Sequence, residues 1–364
     1  MKTSYVLDFE DVMIDVTSHF KKIDTNQYGT TGATPIVDQS ANDFCGYTDI
    51  QPEVASISPP YIIFGDHTRR FKFVDEDFVL GADGTKVLKT KINADHKYLF
   101  HFFKSIKLEE AGYSRHYKFL KRTKLFVPPL AEQQRIAALL DTADRVLKLR
   151  ESAIDKLDQL AQSVFVEMFG SFQNFENKKL SEVCDLITDG THYTPTYVDN
   201  GVVFLSAKNV TKGTVDWNRV KYVPESLHIE LQKRVSPKIG DILLAKNGTT
   251  GVAAIVDRDV VFDIYVSLAL LRPKDLVDKT FLHAALNSTL TKRQFNSALK
   301  GIGVPNLHLV EIRKVTIPVP SVNEQKKFVE ILDKINNLKT YFLKSELLIK
   351  NKISSLQHQS FAVN

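Results

Sequence analysis

At 364 residues, 43% of them hydrophobic, the chain is long enough for two domains with full cores. Its two cysteines, Cys45 and Cys184, are far apart and outside any Cys-x-x-Cys pair, which excludes a disulfide framework or paired thiolate ligands and makes a reducing cytoplasm the expected setting. No apolar run approaches the roughly 18 residues of a membrane span, Asp8 interrupts any signal-peptide stretch, and the net charge of +5 suits a polyanionic partner without requiring one.

The first 130 residues read as a strand-rich module. Ser58-Pro59-Pro60-Tyr61 resembles the Asp/Asn-Pro-Pro-Tyr tetrapeptide of amino-methyltransferases, but Ser replaces the acid or amide and no Gly-rich cofactor turn accompanies it. It reads better as a Pro-rich approach to the strand Ile62-Ile63-Phe64. Gly81-Ala82-Asp83-Gly84-Thr85-Lys86 lacks phosphate-loop spacing and reads as a tight turn. Asp66-His67 and His192 have no partner at metal-ligand spacing, and no nucleophile elbow occurs.

Residues 131–170 predict one long helix. Ile136, Leu140, Ala143, Leu147, Arg150, Ile154, Leu157, Ala161, Val164 and Met168 alternate four-then-three, a heptad seam broken once by Arg150, with Leu139, Val146 and Leu160 broadening the stripe. No Pro or Gly interrupts Glu132 to Phe169, and Gly170 offers a stop. The seam spans roughly 50 Å.

Residues 171–320 predict a second strand-rich module. Val202–Leu205, Asp241–Ala245, Val252–Val256 and Val266–Leu271 are strand-like, Phe281 to Ser297 is expected to be helical, and Val315-Thr316-Ile317 leads into Pro318 and Pro320. Residues 321–364 then carry a second long helix, with a capping box at Ser321-x-x-Glu324 and a stripe of Phe328, Ile331, Ile335, Leu338, Phe342, Ile349, Ile353 and Leu356, broken at Ser345. Matching its end to that of the first helix requires four extra residues, which predicts a local shift of the seam.

The chain thus repeats itself. Pro128-Pro129-Leu130-Ala131-Glu132-Gln133 returns as Pro320-Ser321-Val322-Asn323-Glu324-Gln325. Ile62-Ile63-Phe64-Gly65-Asp66-His67-Thr68 answers Leu243-Leu244-Ala245-Lys246-Asn247-Gly248-Thr249, and Tyr98–Ser105 answers Phe281–Ser288. The expected fold class is α+β: two strand-rich domains separated by two long antiparallel helices in a coiled coil, with pseudo-two-fold symmetry. The alternative is that each helix packs only on its own module.

Polar loops recur at matching places. Thr68, Arg69, Arg70 and Lys72 in the first module correspond to Lys246, Asn247, Thr249 and Thr250 in the second; Arg115 and Tyr117, Lys208 and Asn209, and Lys292-Arg293-Gln294 add further candidates. Arg and Lys suit guanine edges or phosphates, and Asn and Gln suit adenine.

Two strand-rich modules, each ending in a Pro-rich strand that enters a Glu-Gln helix, resemble the DNA-specificity subunit of type I restriction-modification systems. The run Gly240-Asp241-Ile242-Leu243-Leu244-Ala245-Lys246-Asn247-Gly248 is similar to the core strand and turn of that family's target-recognition domains. The resemblance implies a protein without catalysis of its own, which reads a bipartite site in double-stranded DNA with one domain per half-site, the helices setting the unread spacer. Two modules on one face of DNA are expected about one helical turn, roughly 34–36 Å, apart. It also implies two methyltransferase subunits and motor-nuclease subunits as partners, with S-adenosylmethionine, ATP and Mg2+ belonging to them. A self-contained modification or restriction enzyme and a coiled-coil protein-binding adaptor are the competing readings.

Overall fold

The computed structural model describes residues 4–52, 58–81, 84–109, 115–170, 174–299 and 306–361. Two units emerge, residues 1–151 with 343–364, and residues 152–342, so each holds one strand-rich module and part of each long helix.

The first module begins with β1 (Tyr5–Asp8), the turn of helix α1 (Phe9–Val12) and β2 (Met13–Asp15). Then come β3 (Thr34–Val37), β4 (Gly46–Thr48), β5 (Tyr61–Gly65), β6 (Phe71–Val74), β7 (Val79–Leu80) and β8 (Thr85–Thr90). It closes with α2 (His96–Ser105), α3 (Tyr117–Leu120) and β9 (Lys124–Val127), and the chain enters helix α4 (Leu130–Phe169).

The second module repeats the plan: β10 (Glu176–Lys179), α5 (Leu180–Val183), β11 (Cys184–Asp189), β12 (Val202–Leu205), β13 (Lys221–Val223) and α6 (Glu225–Gln232). β14 (Ile242–Ala245), β15 (Ala253–Ile255), β16 (Phe262–Ile264) and β17 (Leu268–Pro273) follow. Then α7 (Lys279–Asn287), α8 (Thr289–Ala298), α9 (Leu309–Lys314) and β18 (Thr316–Val319) lead into α10 (Val322–Phe361).

Sheet for sheet, the modules agree. Each has a two-stranded ribbon (β1-β9, β10-β18), a four-stranded sheet (β2-β8-β5-β6, β11-β17-β14-β15) and a three-stranded sheet (β4-β3-β7, β13-β12-β16). The middle sheet is covered on both faces, which makes β5 and β14 continuous apolar runs instead of alternating ones. Ile62 and Phe64 face Leu99 and Phe103 of α2, while Tyr61 and Ile63 face Val37 and Leu80 of the three-stranded sheet. In the twin, Ile242 and Leu244 face Phe281 and Leu286, while Leu243 and Ala245 face Leu205, Phe262 and Ile264. Each large side chain buried this way contributes roughly 1.5–3 kcal/mol.

These faces correct the alignment expected from sequence. The ladders pair Ile62 with Leu88 and Ile242 with Leu271, so Ile62 answers Ile242 and Asp66 answers Lys246, one residue away from the expected register. The correspondence of Tyr98 with Phe281 holds. Asp95 and Asp278 cap the two helices, each accepting from backbone N–H groups of the first turn. The helical stretch expected across Phe281 to Ser297 divides into two helices. Ser288 ends α7, its hydroxyl donating to the Ala285 carbonyl, and caps α8 by accepting from Thr291 N.

Both long helices have 40 residues, with Phe169 and Phe361 at the same distance from their starts, so the four extra residues expected in the second copy do not exist. The seam of α10 therefore passes through Phe328, Leu332 and Ile335. Ile331 and Leu338, expected in it, are 36% and 51% exposed, while Leu332 is 7% exposed. Leu139 and Leu160, expected to broaden the first stripe, are exposed too. In the first unit, Ile136 and Leu140 share a core with Ile353, Leu356 and Phe361, and the Phe361 ring lies 5.4 Å from those of Tyr98 and Phe102. In the second, Leu157, Ala161, Phe165 and Phe169 share a core with Phe328, Leu332 and Ile335. There Lys339 reaches Asp158 at 2.7 Å.

Candidate nucleic-acid interface

The loops that leave β5 and β14 are built differently on the same frame. After β5, Arg69 N donates to the Gly65 carbonyl at 2.7 Å and Arg69 adopts φ +58°, a left-handed conformation uncommon for a non-glycine residue. Asp66 is buried and fixes the approach of α3: its carboxylate accepts from Tyr117 N at 2.7 Å and its carbonyl from His116 N at 3.0 Å. Thr68 and Arg70 are left exposed and Arg69 half-buried.

After β14 the turn relies on glycine. Gly248 (φ +74°) and Gly251 (φ +78°) take left-handed conformations, and Gly251 N donates to the Ala245 carbonyl. Lys246 carries the buried charge here, 5% exposed, with its ammonium 2.6 Å from Asp189. Asp189 also takes Arg234 at 2.6 Å and His192 at 3.3 Å. Burial pushes the Asp189 carboxyl up, but Lys246 and then His192 outweigh it and hold it below the ordinary value. Thr249 is exposed, and Asn247 and Thr250 are half-buried.

The structure splits the candidate residues into two groups. Thr68, Arg70, Arg115, Lys208 and Thr249 are exposed, with Arg69, Tyr117, Asn247 and Thr250 half-buried. Lys72, Lys246 and Asn209 are turned inward. Asn209 clasps its own loop, its amide donating to the carbonyls of Asp216 and Arg219 at 3.2 and 3.0 Å. Tyr117 packs edge-on to Phe9 and lies under the Lys86 ammonium, and burial pushes its hydroxyl pKa up. Gln294 holds β18 in a two-way bond with the Thr316 backbone at 2.8 and 2.9 Å. Tyr61 of the Pro-Pro-Tyr run is buried against Phe20 and Phe78, so it packs as core. Tyr113 and Ser114, beside Arg115, and Ala82 and Asp83 of the expected tight turn lie outside the described residues.

Among the described residues no three His, Cys, Asp or Glu side chains are grouped to hold a metal, and no helix is long and apolar enough to cross a membrane. Comparison with known proteins gives the geometry its context. The profile of the type I restriction modification DNA specificity domain matches residues 21–159 and again 173–350. The chain belongs to this family.

Its relatives include the specificity subunit of the type I restriction enzyme MjaVIII from Methanocaldococcus jannaschii, 26% identical over 73% of this chain and 69% of the relative. The specificity subunit of EcoBI from Escherichia coli is 23% identical over 66% of this chain and 56% of its own length. The S subunit of a type I system from M. genitalium has the same fold, with a TM-score of 0.60 at 14% identity over 100% of this chain and 97% of that one. A chain solved in a study of complex assembly and conformational transition of the type I system has a TM-score of 0.59 at 18% identity over 99% of this chain and 98% of that one.

Two elements of this specificity chain escaped the sequence reading. Gln133 and Gln325 are buried and do the same work twice. Gln133 accepts from Asp95 N at 2.8 Å and donates to the Pro128 carbonyl at 2.7 Å. Gln325 accepts from Asp278 N at 2.8 Å and donates to the Pro320 and Leu276 carbonyls. Each glutamine thus ties the start of a long helix to the cap of the helix that covers its sheet, which explains the repeated glutamine. The second is the loop Thr191-His192-Tyr193-Thr194, strapped to β16 and the following turn by Thr191 N to the Ile264 carbonyl and Val266 N to the Thr191 carbonyl. It exposes Tyr193, and its His192 joins Arg234 and Lys246 on Asp189. Asp189 is distant in sequence from Arg234 and Lys246, so no local motif marks the cluster.

Proposed function

We propose that the chain is the non-catalytic DNA-specificity subunit of a type I restriction-modification enzyme. Each module reads one half of a bipartite DNA site, with Thr68, Arg69, Arg115 and Tyr117 serving one half-site, Arg70 meeting its phosphate backbone, and Lys208, Asn247, Thr249 and Thr250 serving the other. Lys72, Asn209 and Lys246 shape their loops from inside. The observation that carries the reading is the duplicated set of three sheets in one family fold, with loops that differ in charge at equivalent places.

The helices α4 and α10 form an antiparallel coiled coil in this reading, relate the modules by a pseudo-two-fold axis and set the unread spacer. The shared cores of their paired ends in each unit support it. Two methyltransferase subunits dock on this scaffold and motor-nuclease subunits join them in the cytoplasm. S-adenosylmethionine, ATP and Mg2+ act in those partners. Exposed Leu343 and Leu347, one turn apart on α10, give it an apolar strip suited to a protein partner.

Sequencing of modified bases in cells that carry the chain with its methyltransferase tests this. A bipartite motif with an unread gap is expected, and exchange of residues 171–317 for another recognition module should change one half-site only. A continuous motif, or a change in both halves, defeats it.

A further inference from the structure

Beside the β5–β6 loop lies an open cavity of about 240 Å³, lined by Ser40, Ala41 and Asp43 on one side, Arg69 to Lys72 on another, and Phe103, Lys104 and Ile106 at the end of α2. Four cations line it against one carboxylate. Asp43 is shared with Lys148 at 3.9 Å, and Lys104 is held by Asp144 at 2.6 Å. Phe71 and Phe103 stack with centroids 5.6 Å apart, forming an apolar floor.

Lys72 is the unusual member. It is 6% exposed, yet its nearest acceptors are long, the Asp43 carbonyl at 3.4 Å and the Asp38 carboxylate at 3.8 Å. The buried lysine of the other module, Lys246, has its carboxylate at 2.6 Å. Burial pushes the Lys72 pKa down, Asp38, Cys45 and Asp43 resist, and Arg70 pushes it down further. A buried ammonium held at these distances is costly.

The twin module shows that the sheet does not require it. Lys72 pairs with Ile63 across the ladder where Ala254 pairs with Leu243, so the equivalent of Lys72 is a core alanine. The equivalent of Phe71 is Ala253, whose backbone is sealed by the Asn287 amide and by His283 Nε2 at 3.0 Å. The first module has Lys104 in place of Asn287 and a cavity in place of the seal.

We propose that this cavity is a phosphate site that takes a backbone phosphodiester of the DNA beside the first half-site, with Lys72 and Arg70 as its charged donors. This rests on the DNA-specificity reading and adds a contact that supplies affinity and register instead of sequence choice. A phosphate oxygen completes the coordination of Lys72 and offsets the crowding by Arg70, and Phe71 and Phe103 lower the local polarity that screens both.

The test measures binding of the chain, with its methyltransferase subunits, to its own site across a salt series from about 50 to 200 mM. Arg70→Gln and Lys72→Met are compared with the wild type, and the melting temperature serves as the folding control; Arg70 is exposed, so its variant keeps the fold. Each variant should have a salt slope shallower by about 0.9, so the wild type loses about three- to fourfold more affinity across the series. The modified sequence should stay the same. Equal slopes overturn the phosphate site, and a changed first half-site overturns it in favour of base reading. Inorganic phosphate is titrated in parallel at constant ionic strength. If it raises the wild-type melting temperature but neither variant's, while the DNA slopes coincide, the ligand is the free ion and the DNA assignment falls. A wild type that shows no site-selective, salt-dependent binding removes the specificity reading itself, and the phosphate site with it.

Discussion

The two modules are one framework holding opposite local charges. At the end of the same central strand the first module buries an acid, Asp66, and the second a base, Lys246; one strand over, the first buries Lys72 and the second Ala254. Sheets, caps and helix anchors agree around them. The framework is fixed by apolar faces and a few buried amides, while the residues at strand ends are free to diverge. That freedom is what two readers of different sequences need.

The comparison breaks most visibly if the divergent charges are removed. Lys246→Met leaves Asp189 buried with only Arg234 and His192, and should cost the second module about 3 kcal/mol, the lower end for opening a buried pair. Asp66→Asn in the first module keeps an acceptor for Tyr117 N and should cost less than ~1 kcal/mol. Hydrogen exchange resolved by peptide distinguishes them, since protection should fall around β11 and β14 in the first case and barely change around β5 in the second. The network also sets a pH limit. With its carboxyl held below the ordinary 3.8, Asp189 stabilises the fold above that pH and loses its contribution as pH falls through the lowered value.

Helix register offers a sharper contrast between neighbours. Leu332→Ala should cost about 2–4 kcal/mol and Ile331→Ala only a few tenths, as read from denaturant midpoints. The reverse order of costs would mean that the seam of α10 runs where the sequence alone suggested. Gln133→Leu and Gln325→Leu each strand a buried N–H and at least one carbonyl, for about 1–3 kcal/mol apiece. Gln325 should cost more, because it also holds the Leu276 carbonyl.

The smallest expected effect is in acid. His283 is kept below its usual 6.5 by burial, so it folds neutral; the unfolded chain takes up a proton near 6.5, and stability falls as pH drops from there. His101 is also lowered by burial, but Asp141 at 2.7 Å opposes the shift and blunts its slope. Melting temperatures from about pH 7 to 5.5 should therefore fall less steeply in His283→Gln than in the wild type.

How much of this was legible depended on periodicity. The seam of α4 could be read because apolar and polar residues alternate cleanly across seven positions. In α10, Ile331 and Leu332 are both apolar and adjacent, and only the partner helix chooses between them. The alignment of β5 with β14 slipped by one for a related reason: strands buried on both faces carry no alternation to fix a register. The exposed part of the candidate interface followed from charge and loop position. The inward turn of Lys72 and Lys246 did not, because it depends on distant partners such as Asp189, 57 residues from Lys246; that of Asn209 depends on the fold of its own loop.

In the proposed function a helix pair fixes the distance between two homologous readers. Its most direct test is to remove one heptad from both α4 and α10 and map modified bases in cells carrying the altered chain. Seven residues of helix are about 10 Å, or about three base pairs of DNA. The account predicts a spacer shorter by about that amount between two unchanged half-sites. An unaltered spacer, or altered half-sites, would contradict it.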